Sequence, residues 1–376
     1  MENAPKFINL LEEVEDSRDN RGKRHNLHFI IASVVIAILN DRSATTVFHR
    51  FISNRIEWLK QILDRPSATV VSRAQLPRIL ETVDWHDLNK YVEQFFERNI
   101  ELVDGEWVAV DGKTLRGTIR DKRNKGHEHE KVVTAVGHQS AQTVHQRPIP
   151  YKWRSSEISA VRQLLLETDL SASKVTLDSL HAQFETLEIV NLDGGEFIVQ
   201  AKSNQLNLYN QIKLISGETP SHLNRTDENN KSRIESRVAR FFDIQQMIID
   251  DKWSNCGFKT LIVVDRKRVD LKSGEKSEGR YYYLSNCHFI MREKELFNAI
   301  RQHWQVEVNN NIRDVTLRED YVKTARPNQA QVFSLLRTLA LNIIREVSPA
   351  SIKKALDHFV DCPDFLLQRL KQINFL

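Results

Sequence analysis

Two aspartates that directly follow short β-favouring runs are the residues of this sequence best placed to do chemistry. The run 108–110 ends at Asp111, and Gly112 then allows the backbone to turn. Residues 174–177 form a second run, which ends at Asp178. Aspartates at the ends of neighbouring strands repel each other, and a divalent cation relieves that repulsion. The pattern predicts a metal site, although a turn at Asp111 or a helix cap at Asp178 would also explain it.

A glutamate further along the chain is the third candidate ligand. Residues 293–309 are expected to form a helix, on which His303 and Glu307 lie four residues apart and share a face. Glu307 can therefore project towards the sheet, with an imidazole one turn earlier. Trp304 lies beside it, either as a core residue or as a group that stacks on a base.

Basic residues accompany these acids. Lys113 and Arg116 follow Asp111 at once, so a metal-binding carboxylate would lie beside cations able to hold a phosphate. Phosphoryl-transfer sites need such an arrangement. Lys202 and Arg301 are further candidates for phosphate contacts.

Length and composition place the chain among globular proteins of two or three domains. It has 376 residues, of which 40% are hydrophobic and 28% charged, with 54 basic against 50 acidic residues and a net charge of +4. This small positive excess is compatible with nucleic acid without being diagnostic of it. Cys256, Cys287 and Cys362 lack metal-ligand spacing and are interpreted as reduced thiols. The apolar run 29–39 is too short to cross a bilayer, so we expect a cytoplasmic protein without membrane contact.

The hydrophobic period changes along the chain and suggests four segments. Residues 1–100 read as a small α-helical domain whose arginines face solvent or touch DNA, and residues 101–216 contain a meander of three strands followed by β-α-β units. This order is the connectivity of a ribonuclease-H-like fold with a mixed sheet. Residues 217–288 read as a β-rich insertion that opens with the polar loop 217–232, and residues 289–376 return to helices and complete the core. His127 and His129 in the loop between the first two strands are expected to face solvent rather than bind metal.

Several motifs in fixed order carry a family resemblance. They are AVDGKTLRGT, LDSLHAQ, AKSNQ, RIESR, RQHWQVE with DVTLRED, and LLRTLALNIIR. Together the motifs resemble those of the DDE transposases of the H-repeat-associated insertion-sequence family, over nearly the whole chain. Ser179 in place of the usual alanine, and Val308, Asn311 and Ile312 after the glutamate, depart from the family pattern.

The resemblance implies a ribonuclease-H-like catalytic core with a β-rich insertion before the helix that bears the glutamate. Its catalytic and metal-binding acids fall on Asp111, Asp178 and Glu307, which implies two Mg²⁺ ions, with Mn²⁺ as a substitute. The implied partners are double-stranded DNA, namely the element's terminal repeats and a target, and a second copy of the chain. Lys113, Arg116, Lys202 and Asn204 match basic and polar positions of the family, and Glu157 matches a motif glutamate of unclear role. Arg301, His303 and Trp304 are further candidates for DNA contacts.

Three functions remain open on the sequence. The first is a transposase that cleaves DNA at the element's ends and joins it to a target. The second is a catalytically inactive or domesticated relative that only binds DNA. The third is a nuclease with the same core that cleaves without joining.

Overall fold

The computed structural model describes residues 6–99, 105–118, 129–149, 156–230, 232–245, 251–347 and 351–376. A single sheet of nine strands, in the order β3-β2-β1-β4-β5-β9-β8-β7-β6, runs through the molecule. The strands are β1 Trp107–Leu115, β2 Glu130–Gly137, β3 Thr143–Ile149, β4 Lys174–Leu177, β5 Glu196–Ala201, β6 His222–Asn230, β7 Arg233–Asp243, β8 Thr260–Asp270 and β9 Lys276–Ser285.

The first five strands have the predicted connectivity. Strands β1, β2 and β3 form an antiparallel meander, and β4 and β5 join β1 in parallel. Helical connections link these parallel strands, as parallel pairing requires. This half of the sheet is the ribonuclease-H-like core.

The insertion extends the same sheet. Strand β9 pairs antiparallel with β5, and β8, β7 and β6 follow outward. Residues 222–230 were expected to lie in a polar loop, and that expectation is wrong because they form the edge strand β6. Their only strand neighbour within the described chain is β7, and an edge strand tolerates polar residues on both faces.

Helices cover both faces of the core. They are α1 Phe7–Glu12, α2 Leu27–Leu39, α3 Thr45–Asn54, α4 Ile56–Ile62, α5 Leu76–Glu81, α6 Trp85–Asn99, α7 Glu157–Glu167, α8 Phe184–Leu192, α9 Leu206–Ile215, α10 Glu293–Gln302, α11 Gln305–Asn311, α12 Pro327–Val347, α13 Ile352–Asp361 and α14 Pro363–Gln372. Val108 and Val110 of β1 pack into the core beneath α7 and α8, whereas Ala109 packs on Val306 of α11. Side chains alternate along a strand, so the odd-numbered residues of β1 face α11.

The N-terminal helices share a hydrophobic core with the C-terminal helices. Phe7 stacks on Phe375, with ring centroids 5.1 Å apart, and Phe48 lies 5.4 Å from Phe333 of α12. Helix α2 is buried on all sides within this cluster, with only His28 partly accessible. Residues before and after the predicted boundary at residue 100 therefore contribute to one hydrophobic core.

Two further expectations concern membranes and cysteines. Among the described residues, no helix combines the length and apolar character needed to cross a bilayer. All three cysteines are free: Cys256 and Cys287 are buried, and Cys362 is exposed.

Candidate active site

Asp111 and Asp178 lie side by side on one face of the sheet. Val110 of β1 pairs with Leu177, the last residue of β4, so the residues that follow them are neighbours in register. Both side chains point to the α11 face because strand residues alternate. The Asp178 carboxylate also accepts a hydrogen bond of 2.8 Å from the backbone N–H of Leu180, as a capping residue does. The structure thus brings the two predicted aspartates together.

The turn predicted at Gly112 is not present. Strand β1 continues to Leu115, and Gly112 pairs with Val133 of β2, so Asp111 lies inside a strand rather than at its end. A methyl group at Gly112 would overlap the carboxylate of Glu157, which begins α7. Glycine is needed here for space and not for a turn.

Burial and neighbouring negative charge raise the pKa of Asp111 to about 7. The largest cause is burial, followed by the charges of Glu157 and Asp178. The structure gives none of these three carboxylates a lysine or arginine partner within the described ranges. A divalent cation would supply the missing positive charge, so the donor set fits such an ion.

Glu307 lies on the same side of the sheet as the two aspartates. It projects from α11 and borders a cavity of about 420 Å³ that also includes Gln200, the residue next to Asp178 in register. Its carboxylate accepts a hydrogen bond from the indole N–H of Trp304. In the described residues, no three Asp, Glu, His or Cys side chains converge closely enough to hold an ion.

The helix predicted over residues 293–309 is interrupted at His303. Helix α10 ends at Gln302 and α11 begins at Gln305. His303 Nδ1 and Thr176 Oγ1 are hydrogen-bonded at 2.9 Å, and His138 Nε2 lies 3.0 Å from the same hydroxyl. Burial lowers the pKa of His303 to about 4 and that of His138 to about 3, so both rings are neutral at pH 7. This series of contacts through Thr176 fixes the start of α11 to β4.

Lys113 is the clearest difference from the sequence interpretation. Its side chain is 4% exposed and forms ion pairs with Asp314 and with Glu319, the second at 3.4 Å. Glu319 also accepts a hydrogen bond of 3.0 Å from Arg313, which is fully buried. Burial alone would raise the pKa of Glu319, but the charges of Arg313, Lys113 and Arg337 hold it below its usual value. Lys113 thus belongs to a buried ion network and does not point to solvent, where a phosphate would bind.

The other predicted DNA contacts have varied surroundings. Arg116, Lys202 and Trp304 are exposed, the last with 56% of its surface accessible. Arg301 forms an ion pair with Glu228 of β6, and Asn204 donates a hydrogen bond of 2.6 Å to the carbonyl of Ser179. His127 lies outside the described residues. His129 contacts the carbonyl of Thr118 through its ring, so the structure gives it a backbone partner.

Sequence reasoning missed two features of the site. One is His181, which is fully buried beside Glu157 and Asp178. The other is the arginine-rich wall of the cavity, formed by strands of the insertion. The pattern RIESR marked only part of this wall, since its other arginines come from β8 and α10.

A mixed sheet in this strand order, with adjacent aspartates beneath a helix that bears a glutamate, defines a ribonuclease-H-like enzyme core. The family model "Transposase DDE domain" matches residues 104–343, and "DDE_Tnp_1-associated" matches residues 8–96. The chain belongs to the DDE transposase family.

Relatives from Escherichia coli agree with this assignment. The chain is 26% identical over 352 residues to "Putative transposase YncI" of strain O157:H7, with 90% of this chain and 87% of the relative covered. It is 25% identical over 347 residues to "H repeat-associated putative transposase YhhI" of strain K12, with 90% of each chain covered. A piggyBac transposase in a synaptic complex with hairpin DNA aligns over 97% of this chain and 79% of that chain, with 11% identity and a TM-score of 0.46.

Proposed function

We propose that this protein is an insertion-sequence transposase that cleaves DNA at the element's ends and transfers the freed strand to a target. The single observation that supports this most is the register of β1 and β4, in which Val110 pairs with Leu177, the residues that directly precede Asp111 and Asp178. Glu307 lies on α11. Family membership supplies the expected reaction class, and the paired aspartates supply oxygen ligands suited to a divalent ion.

Asp111, Asp178 and Glu307 would hold the metal, most simply Mg²⁺ with Mn²⁺ as a substitute. Two bound ions would lower the pKa of an attacking water or 3′-hydroxyl and neutralise the leaving oxygen. The protein's own part is placement. The contact between His303 and Thr176 fixes the start of the Glu307 helix over β4, and Trp304 orients the Glu307 carboxylate.

The cavity that Glu307 borders, walled largely by strands of the insertion, is the proposed contact surface for DNA. Its wall combines arginine side chains, which bind phosphates, with aromatic rings, which stack on bases. These residues are Arg233, Arg237, Arg266, Arg268, Arg301, Tyr281, Tyr283 and Trp304. Acidic neighbours neutralise some of the charge, since Glu235 contacts Arg237 at 2.8 Å and Arg233 at 3.5 Å. Arg268 forms no ion pair within the described part of the chain, and its charge acts only at longer range on Asp270, so it is the arginine of this wall most available to a phosphate.

Replacing Arg268 with alanine should weaken DNA binding and make it less sensitive to salt. Loss of one phosphate contact lowers the slope of log K against log salt concentration by about one. Fluorescence anisotropy at several salt concentrations measures this slope. Lys267→Ala is the matched control, because Lys267 is exposed and paired with Glu278 at 3.1 Å. Equal slopes for the Arg268 variant and the wild type would remove Arg268 from the DNA-contacting surface.

The proposed function is tested with purified protein, Mg²⁺ and a labelled DNA fragment that carries both flanks of the native gene. Cleavage at the element's ends together with joined products would support a transposase. Cleavage without joined products would indicate a nuclease, and binding without cleavage would indicate an inactive relative. Each of the last two results contradicts the proposal. Gel filtration of the protein with this DNA would show whether two copies assemble on it.

A further inference from the structure

Glu157 is the first residue of α7, but its side chain does not lie where a surface glutamate at a helix start would lie. Ser156 already caps α7 through a hydrogen bond from the backbone N–H of Ser159, so the helix does not require the Glu157 carboxylate as a cap. The side chain turns inward and is only 23% exposed. Its carboxylate fills the space beside Gly112 that any larger residue would occupy.

The charge around this carboxylate is not balanced by the protein. Two buried acids elsewhere have basic partners: Glu319 has Arg313, and Glu235 has Arg237. Glu157 has neither lysine nor arginine beside it in the described ranges, and it lies close enough to Asp111 for the two charges to interact. Three acids therefore share one region, and their mutual repulsion is not relieved by a basic side chain.

His181 provides an independent sign that a ligand belongs there. Its side chain is fully buried, and neither ring nitrogen has a hydrogen-bond partner. Its Nε2 lies 3.5 Å from Glu157 Oε1 and 3.9 Å from Asp178 Oδ1. An unpaired buried imidazole costs free energy, and this ring points at the space between two carboxylates.

We propose that Glu157 is a ligand of a divalent cation that it shares with Asp111 and Asp178 in the DNA-free protein. The inference rests on the proposed function and adds an acid from α7 to the metal site. Asp178 is 39% exposed and Glu157 has three rotatable side-chain bonds, so both side chains can rotate towards an ion that Asp111 also contacts.

Titration calorimetry with Mn²⁺ on the full-length, DNA-free protein tests the proposal. Glu157→Gln should weaken Mn²⁺ binding by about tenfold or more, because it removes a charged oxygen ligand without changing the shape of the side chain. Gly112→Ala should weaken it similarly, since the added methyl expels the Glu157 carboxylate while every acid remains.

Glu167→Gln is the matched control. Glu167 lies at the other end of α7 and pairs with Arg147, so its loss should leave Mn²⁺ affinity unchanged. Circular dichroism shows whether each variant is folded. If the Gly112→Ala variant does not fold, the isosteric Glu157→Gln variant alone tests the proposal.

The outcomes separate this inference from the proposed function. Loss of Mn²⁺ binding in both Asp111→Asn and Glu157→Gln supports the inference. Loss in Asp111→Asn alone, with normal affinity in Glu157→Gln, overturns the inference and leaves the proposed function standing. Normal affinity in both variants overturns the inference and also contradicts the metal site of the proposed function.

Discussion

We expect Asp111→Asn to slow the proposed DNA cleavage by about a thousandfold or more and to retain DNA binding. The expected loss corresponds to about 4 kcal/mol of transition-state stabilisation, a reasonable share for a metal-binding carboxylate. Asparagine keeps the size of the side chain and removes its charge. The measurement is the rate of Mg²⁺-dependent nicking of labelled flanking DNA, with binding followed by anisotropy. Asp193→Asn, at the exposed end of α8, is the matched control and should cleave normally.

A stability measurement shows that the loss is chemical and not due to unfolding. The pKa of Asp111 is raised from 3.8 to about 7, so between these values the native state binds more protons than the unfolded state. The stability of the metal-free wild type therefore falls as pH rises through this window. Asparagine does not titrate, so the variant avoids this loss of unfolding free energy, which is on the order of 2 to 4 kcal/mol. Its melting temperature should therefore exceed that of the wild type at pH 8 but not near pH 4. A lower melting temperature at pH 8 would contradict this account of the site, as would rapid cleavage by the variant.

Arg313→Ala destabilises the protein by about 3 to 5 kcal/mol, because it leaves the carboxylate of Glu319 buried with only part of its positive surroundings. Arg313 is fully buried and donates to Glu319 at 3.0 Å. It also contacts Gln146 of β3 at 3.4 Å, so the network ties the segment after α11 to the sheet. Urea unfolding followed by circular dichroism measures the change.

An exposed ion pair is the comparison for this effect. Arg225 and Asp227 pair at 2.9 Å, but both side chains are more than half exposed, so Arg225→Ala should cost less than about 1 kcal/mol. Removing both members of the buried pair, as Arg313→Met with Glu319→Leu, should recover much of the lost stability. If Arg313→Ala and Arg225→Ala cost the same, the network does not contribute as described.

Much of the core was predictable because its strands carry their own signals. The apolar runs that end near Asp111 and Asp178 have the β-favouring composition of buried strands, and their order along the chain specified the meander and the crossovers. The two aspartates could therefore be placed side by side from topology. Strand β6 could not be found in this way, since an exposed edge strand of polar residues has no hydrophobic period.

The remaining features depend on contacts between distant parts of the chain. Lys113 meets Asp314, which is 201 residues away, and no local pattern distinguishes a buried lysine from one that faces solvent. Gly112 shows the same limit. Its position before a lysine in a polar stretch favours a turn, but pairing with β2 and the inward carboxylate of Glu157 keep it in a strand.

The shared interior of the first and last helices has a consequence for shortened copies of this gene. Helix α2 is almost entirely apolar and buried, and α12 packs directly against it. A product that stopped before Pro327 would leave that surface bare and would be prone to aggregate instead of persisting as a free DNA-binding fragment. A gene truncated in this way would then yield no stable fragment that could compete with the intact protein.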